Sequence, residues 1–386
     1  MKLTDKCLIF EPGYTGHRGE FVRHLMQFIN DNPGLHGKYI FTLDERFAPL
    51  VESLTVPNNF EVVYNTFDGK PKNSLKRSFW VWDRISAILA ERKDIGEIIF
   101  LELDPYLILI NTKRFRKFKL SVKGILFQPY NHFKASIKDL LKKYLIQKTV
   151  FSLHPAIDTC FILNDKESVA RMNKKIKNIF CFLPDPIDDA VPVVDPVTAG
   201  KITAKYRIEK GRKVLLLFGT IDERKNLINI IDAMRLFPDE AKTKFSLIIA
   251  GKFKAEVRDR YTQYIDRYKD ELNIVYYDAF VSDQERAVIF QHCDVVLMPY
   301  ANFYSSSGVL GHATHYGKRV IVSSLGLLKN IVTEYGMGIA VDPLSAKSIH
   351  RATHELLFGN ECPEYDNRKF VAEHSPAIFS KTLLKA

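Results

Sequence analysis

Two stretches of the sequence gather residue types suited to holding an anion. The first is Gly219-Thr220-Ile221-Asp222-Glu223-Arg224-Lys225-Asn226, directly after the apolar run Val214–Phe218. Gly219 permits a tight turn, and Asp222 is a candidate helix cap. Arg224 and Lys225 fall at the start of a helical pattern, where the helix dipole disfavours cations. A bound anion at that N-terminus would offset the conflict; the alternative is a pair of solvated charges on a turn. The second stretch, Pro299 to Ala313, follows the run Val295–Met298 and opens a helix that ends at Gly317. Ser305, Ser306, Ser307 and Gly308 offer hydroxyls and N–H groups to a phosphate. A capped helix with a close-packing glycine accounts for one serine, not three.

A third stretch has Gly13, Gly16 and Gly19 bracketing Tyr14, Thr15, His17 and Arg18 after the run Lys6–Phe10. It is not the dinucleotide fingerprint, because no acidic residue follows at the matching distance on a second strand. A flexible turn is the plain alternative.

These stretches need strands to end at the right place. Short apolar runs alternate with amphipathic stretches along the whole chain, as in buried parallel strands joined by helices. Between the two halves lies Leu183–Gly200, with four prolines and no helical period, which reads as a linker. The expected class is α/β, with two doubly wound Rossmann-like domains facing a cleft. The expected boundaries are an N-terminal domain over 1–185, a linker over 186–200, a C-terminal domain over 201–365 and a closing helix over 366–386.

The 386 residues are 46% hydrophobic and 26% charged, which excludes disorder as the main state. No apolar run approaches a membrane span, and the four apolar residues after Lys6 are too few for a signal-peptide core. Five scattered cysteines without a C-x-x-C pair point away from disulfides or zinc and towards a reducing cytoplasm. The net charge of +11 is uneven. Residues 1–180 hold 29 Lys/Arg against 19 Asp/Glu, and residues 111–148 hold eleven against one, Asp139. Such a patch implies a negatively charged partner. Phe133, Ile137, Leu140, Leu141, Tyr144 and Leu145 recur at helical spacing, with most lysines off that stripe. The stripe reads as core, and the charge as a contact with an anionic membrane surface; solvated lysines on a soluble face are the alternative.

The order of motifs resembles a known family. GTIDERKNL resembles the phosphate turn of the group 1 (family 4, GT-B class) glycosyltransferases, and SSSGVLGHATHYGKRVIVSS resembles the family's stretch around its E-A-M-A-x-G-x-P helix. The segments SLIIAGKF, VYYDAFVSDQERAVIFQHCDVVLMPY and GMGIAVDP follow the family's order. EPGYTGHRGEFVRHL and CFLPDPID resemble its first-domain loop and pre-linker strand.

The resemblance implies a two-domain GT-B enzyme that transfers a sugar from a nucleotide-sugar to a hydroxyl. Transfer would be retaining, with a glycan or lipid-linked acceptor of surface polysaccharide synthesis. Arg224 and Lys225 would hold the diphosphate and stabilise the leaving nucleotide. Gly219, Phe280, Val281, Ser306, Ser307 and Gly308 would line the donor site, and Gly16, His17 and Arg18 would face the cleft. His132 is the candidate polar residue of the first domain, four residues past Gln128. No metal site and no cofactor beyond the donor are implied, and the chain lacks an Asp-x-Asp triplet. Two glutamates of the family pattern fall on Tyr304 and His312; His312 would hydrogen-bond a ribose hydroxyl and Tyr304 contact the donor sugar, while the loss of the acids leaves open a non-catalytic binding or scaffold subunit. A basic polyanion-binding protein and a sugar-nucleotide epimerase are the other readings; nucleic acid is not an expected partner. The implied location is cytoplasmic, peripheral at the inner face of the membrane.

Overall fold

The computed structural model describes residues 6–14, 18–66, 74–110, 112–130, 137–153, 157–187, 192–359, 365 and 367–385. The chain divides into two compact units, Met1–Pro186 with Ser375–Ala386, and Ile187–His374.

The first unit is built on β1 (Lys6–Glu11), β2 (Tyr39–Asp44), β3 (Glu61–Asn65), β4 (Ile95–Phe100), β5 (Ser121–Leu126), β6 (Ile157–Leu163) and β7 (Phe180–Leu183). They form one parallel sheet in the order β3-β2-β1-β4-β5-β6-β7. Alternate residues leave opposite faces of a strand. Thus Leu8 and Phe10 join a core with Trp82, Phe115, Val150 and Phe151, while Cys7 and Ile9 join another with Phe21, Leu25 and Phe379. Both faces are covered, which explains why the strands read as continuous apolar runs rather than alternating ones.

The second unit repeats the plan with β8 (Lys213–Phe218), β9 (Phe245–Ala250), β10 (Ile274–Tyr277), β11 (Val295–Met298), β12 (Arg319–Ser323) and β13 (Gly338–Val341). Its parallel order is β10-β9-β8-β11-β12-β13. Leu215 and Leu217 pack to one side and Val214 and Leu216 to the other. In both sheets the strand order reverses beside the first strand, between β1 and β4 and between β8 and β11. Ligands of such sheets bind outside the strands' carboxyl ends at that point.

Three boundaries differ from the sequence reading. The division falls at 186/187, and residues 196–200 are not linker. Pro196–Lys205 is a helix, with Asp195 accepting hydrogen bonds from the N–H groups of Val197 and Thr198, both at 3.0 Å. Pro196 stands at the first helical position, where its missing N–H costs nothing. The closing helix is two helices, Arg368–Glu373 and Pro376–Leu384. The second one returns to the first unit, where the Phe379 and Phe21 ring centres lie 4.8 Å apart with the rings tilted. Among the described residues no helix is long and apolar enough to cross a membrane.

Candidate functional site

In the second unit the two anion-binding stretches meet at the reversal between β8 and β11. Backbone geometry packs the strand ends tightly there. Gly251, at φ +148°, lies so close to the Gly219 carbonyl that a Cβ would fall 1.9 Å from its oxygen. After Gly219 the chain makes a 3-10 turn, Glu223–Lys225, and the following helix, Leu227–Arg235, begins only after Asn226. Arg224 and Lys225 therefore sit in a turn before that helix, not in its first turn. Asp222 does not cap; its carboxylate accepts from Arg224 Nε at 3.1 Å. Asn226 takes the left-handed conformation (φ 59°) that lets turn and helix join, and its amide donates to the Pro299 and Pro343 carbonyls. The Ala301 N–H donates to the Arg224 carbonyl at 2.8 Å, fixing the 299–308 loop against the turn.

Lys225 is 2% exposed. Its Nζ donates to the Phe218 carbonyl (2.6 Å) and the Tyr300 hydroxyl (2.7 Å) and lies 4.3 Å from the Tyr300 ring centre. Burial, aided by the nearby Arg224 charge and opposed by Asp222, lowers its pKa to about 7. Burial raises the Tyr300 phenol, against the effect of a hydrogen bond with Ser307. Arg224 spans outward, its guanidinium carbon 5.1 Å from the Phe303 ring centre, with more than a third of the side chain exposed. One buried amine, one accessible guanidinium and a serine-lined helix start are thus joined through Tyr300. A buried cation without a carboxylate partner is costly, and a phosphate placed beside it would return the lost stabilisation of its charge.

The remaining donor-site candidates lie in several different settings. Ser307 precedes the helix Gly308–His315 without a side-chain cap bond to it, and Ser306 and Tyr304 are half-buried in the same loop. His312 is half-buried on that helix, with ring centres 5.7 Å from Phe290 and 6.2 Å from Phe218. Val281 packs on the second unit's core, whereas Phe280 is 86% exposed in the loop beyond β10. Gly16, His17 and His132 lie outside the described residues.

The first unit holds a cluster that sequence reasoning missed, again at a reversal point. Glu11, the last residue of β1, is 1% exposed. It accepts from the Gly13 N–H at 2.7 Å and from Arg18 Nη1 at 2.8 Å, and Arg18 Nη2 donates to Glu102 just beyond β4. Burial lifts the Glu11 carboxyl to about 7 against the pull of Arg18 and the Gly13 N–H. A side chain at position 13 would collide with the Arg18 guanidinium, 2.0 Å from the Cβ position. Arg18 is thus committed to two carboxylates. Nearby, half-buried Asp104 accepts from the N–H groups of Phe127 and Gln128, and desolvation raises it to about 6. Glu11 opens the EPGYTGHRGEFVRHL stretch but was not singled out in it, and Glu102 carried no motif; their place at strand ends was the signal that could have found them.

Among known proteins, residues 199–368 match the family model described as "Glycosyl transferases group 1". This segment is a group 1 glycosyl transferase domain. The turn at Arg224–Lys225 and the serine loop both lie inside the group 1 segment. The chain is 23% identical over 208 residues to the O-antigen chain mannosyltransferase B of Escherichia coli, covering 52% of each protein. It thus spans about half the length of that curated relative. The structure of Anabaena Alr3699/HepE in complex with UDP superposes with a TM-score of 0.70 at 14% identity, covering 99% of this chain and 97% of that one. Sucrose-phosphate synthase from Thermosynechococcus elongatus gives the same score, identity and coverage. These similarities place the group 1 domain and the unit before it in the α/β, two-domain GT-B fold class.

Proposed function

We propose that this protein is a glycosyltransferase that moves a sugar from a nucleotide-sugar to a hydroxyl of a glycan or lipid-linked acceptor in surface polysaccharide synthesis. The observation that carries this reading is the Arg224–Lys225 pair joined through Tyr300 to the Ser307–Gly308 helix start. The bond between the anomeric carbon and the diphosphate breaks, and its electron pair goes to the phosphate oxygen. Arg224 and Lys225 stabilise that charge as it develops, while the acceptor oxygen bonds the anomeric carbon and its proton passes to the departing diphosphate oxygen. UDP in the HepE structures and the mannosyltransferase relative support a nucleotide-sugar donor. The family supports retention at the anomeric carbon. On this reading the second unit binds the donor and the first unit binds the acceptor, with Arg18 joining Glu11 to Glu102 beyond the ends of β1 and β4. The enzyme works at the cytoplasmic face of a membrane, with the basic segment 111–148 against anionic lipid.

The test is release of nucleoside diphosphate from UDP- and GDP-sugars. Replacing Arg224 and Lys225 by Ala is expected to lower turnover by about 10²–10³-fold per lost contact. Equal turnover in the variant overturns the assignment. A second reading, a nucleotide-binding scaffold without turnover, is favoured by the aromatic packing of His312 at a position where the family pattern has a glutamate. Nucleotide binding with no turnover of any sugar donor would select it.

A further inference from the structure

The helix Ile137–Leu153 is apolar on two sides. Gln147, Val150 and Phe151 are buried on its inner side, Val150 and Phe151 joining the core with Leu107, Ile110 and Phe115. The sequence stripe through Leu140, Leu141, Tyr144 and Leu145 was expected to be that inner face. Tyr144 packs against the core as expected, but Leu141 and Leu145 do not. At 100° per residue Leu145 lies across the helix from Gln147 and Phe151, and the structure exposes Leu141 to 51%, Leu145 to 57% and Leu153 to 62%. Ile146 is exposed beside them, as are Lys142 and Lys148, and Ile108 is exposed on the neighbouring helix Leu107–Ile110. A surface helix ordinarily keeps one polar face. Here Leu141, Leu145, Ile146 and Leu153 share the outer face with exposed Lys142, Lys148, Thr149 and Ser152, and most of the helix belongs to the segment of eleven Lys/Arg and one acid. Exposed Lys113, Lys117 and Lys119 belong to the same segment.

We infer that the helix Ile137–Leu153 docks on an anionic bilayer by sinking Leu141, Leu145 and Leu153 between the lipid headgroups, with Lys142 and Lys148 on the phosphates. This deepens, and rests on, the reading of an anionic lipid surface as partner. Charge complementarity selects a lipid surface over a second copy of the chain, whose matching patch would be equally basic. Adsorption by lysines alone is lost in salt; insertion of apolar side chains adds a component that salt does not remove.

The test is co-sedimentation of the full chain with vesicles of phosphatidylcholine and phosphatidylglycerol, and of phosphatidylcholine alone. Three proteins are compared: the parent, Leu141→Ser with Leu145→Ser, and Lys142→Glu with Lys148→Glu. The leucine variant is expected to bind anionic vesicles about tenfold more weakly and to lose its residual binding at high salt. The lysine variant is expected to lose about fivefold per lysine at low salt. Binding of the parent with an unchanged leucine variant overturns insertion and leaves electrostatic adsorption standing. No binding by the parent overturns both readings. A parent dimer in light scattering that the leucine variant abolishes, without an effect on vesicles, assigns the outer face to self-association instead. Nucleotide binding by the second unit, measured on each variant, shows that the chain remains folded.

Discussion

At the residue scale the chemistry rests on cations and carboxyls held away from their ordinary protonation ranges. Lys225 has its pKa lowered to about 7 by burial. The unfolded chain therefore binds more protons than the native one between about 7 and the ordinary lysine value, and stability rises with pH across that window. Lys225→Met is expected to flatten that rise, as read from denaturant midpoints between pH 7 and 10. A nucleoside diphosphate beside the amine should draw a proton onto it. Binding enthalpy at pH 8 should then vary with the ionisation enthalpy of the buffer, and that variation should vanish in Lys225→Met. Glu11 has the opposite sign. Its carboxyl is raised to about 7, so the native state holds the proton longer and its stability falls as pH rises from about 4.5 to 7. Glu11→Gln is expected to lose that fall, with the gap to the parent widening towards pH 8 in the same midpoint measurement.

At the element scale, precision comes from short backbone devices. Gly251→Ala would set a Cβ against the Gly219 carbonyl and push the ends of β8 and β9 apart. It should cost roughly 2–3 kcal/mol by thermal or denaturant unfolding and weaken nucleotide binding; an unchanged stability would contradict the packing. Asp195→Ala removes two cap hydrogen bonds from Pro196–Lys205 and should cost about 1 kcal/mol.

Strands such as Lys213–Phe218 were legible because parallel strands covered on both faces write themselves as continuous apolar runs. The Pro196 helix was not, because proline was read as a breaker although it stands at a first helical position behind an aspartate cap. The orientation of Ile137–Leu153 was not legible either. An apolar residue on its outer side has the same period as one on its inner side, so periodicity cannot say which side meets the sheet. In the site, Arg224, Lys225 and the serine loop were legible through spacing after strands. The coupling of Lys225 to Tyr300 was not, since the two lie far apart in sequence and meet only when β8 and β11 pair.

At the scale of the whole molecule, two sheets of like topology each place charged groups at the point where strand order reverses. In the second unit that point carries cations and serines suited to a diphosphate. In the first it carries Glu11, Arg18 and Glu102. The first unit also holds nearly all the excess positive charge, since residues 1–180 carry a net +10 of the total +11. On the proposed function, donor handling and surface association separate by unit. Lysine-to-glutamate changes in 111–148 should leave nucleotide affinity within about twofold of the parent while reducing vesicle binding, as read by titration calorimetry and co-sedimentation. Arg224→Ala should do the reverse.

The central claim is that the turn Gly219–Asn226 and the loop leading to Gly308 bind the diphosphate of a sugar nucleotide. Its most direct test is a thermal-shift panel of UDP, GDP, ADP and their sugar conjugates, on this chain and on the Arg224→Ala, Lys225→Ala double variant. A ligand at 100 times its dissociation constant should add about 2.7 kcal/mol of stability, a shift of roughly 5–10 °C for a unit of this size. The account predicts that shift for one nucleotide series and its disappearance in the double variant. No shift with any nucleotide, or an equal shift in the double variant, would contradict it.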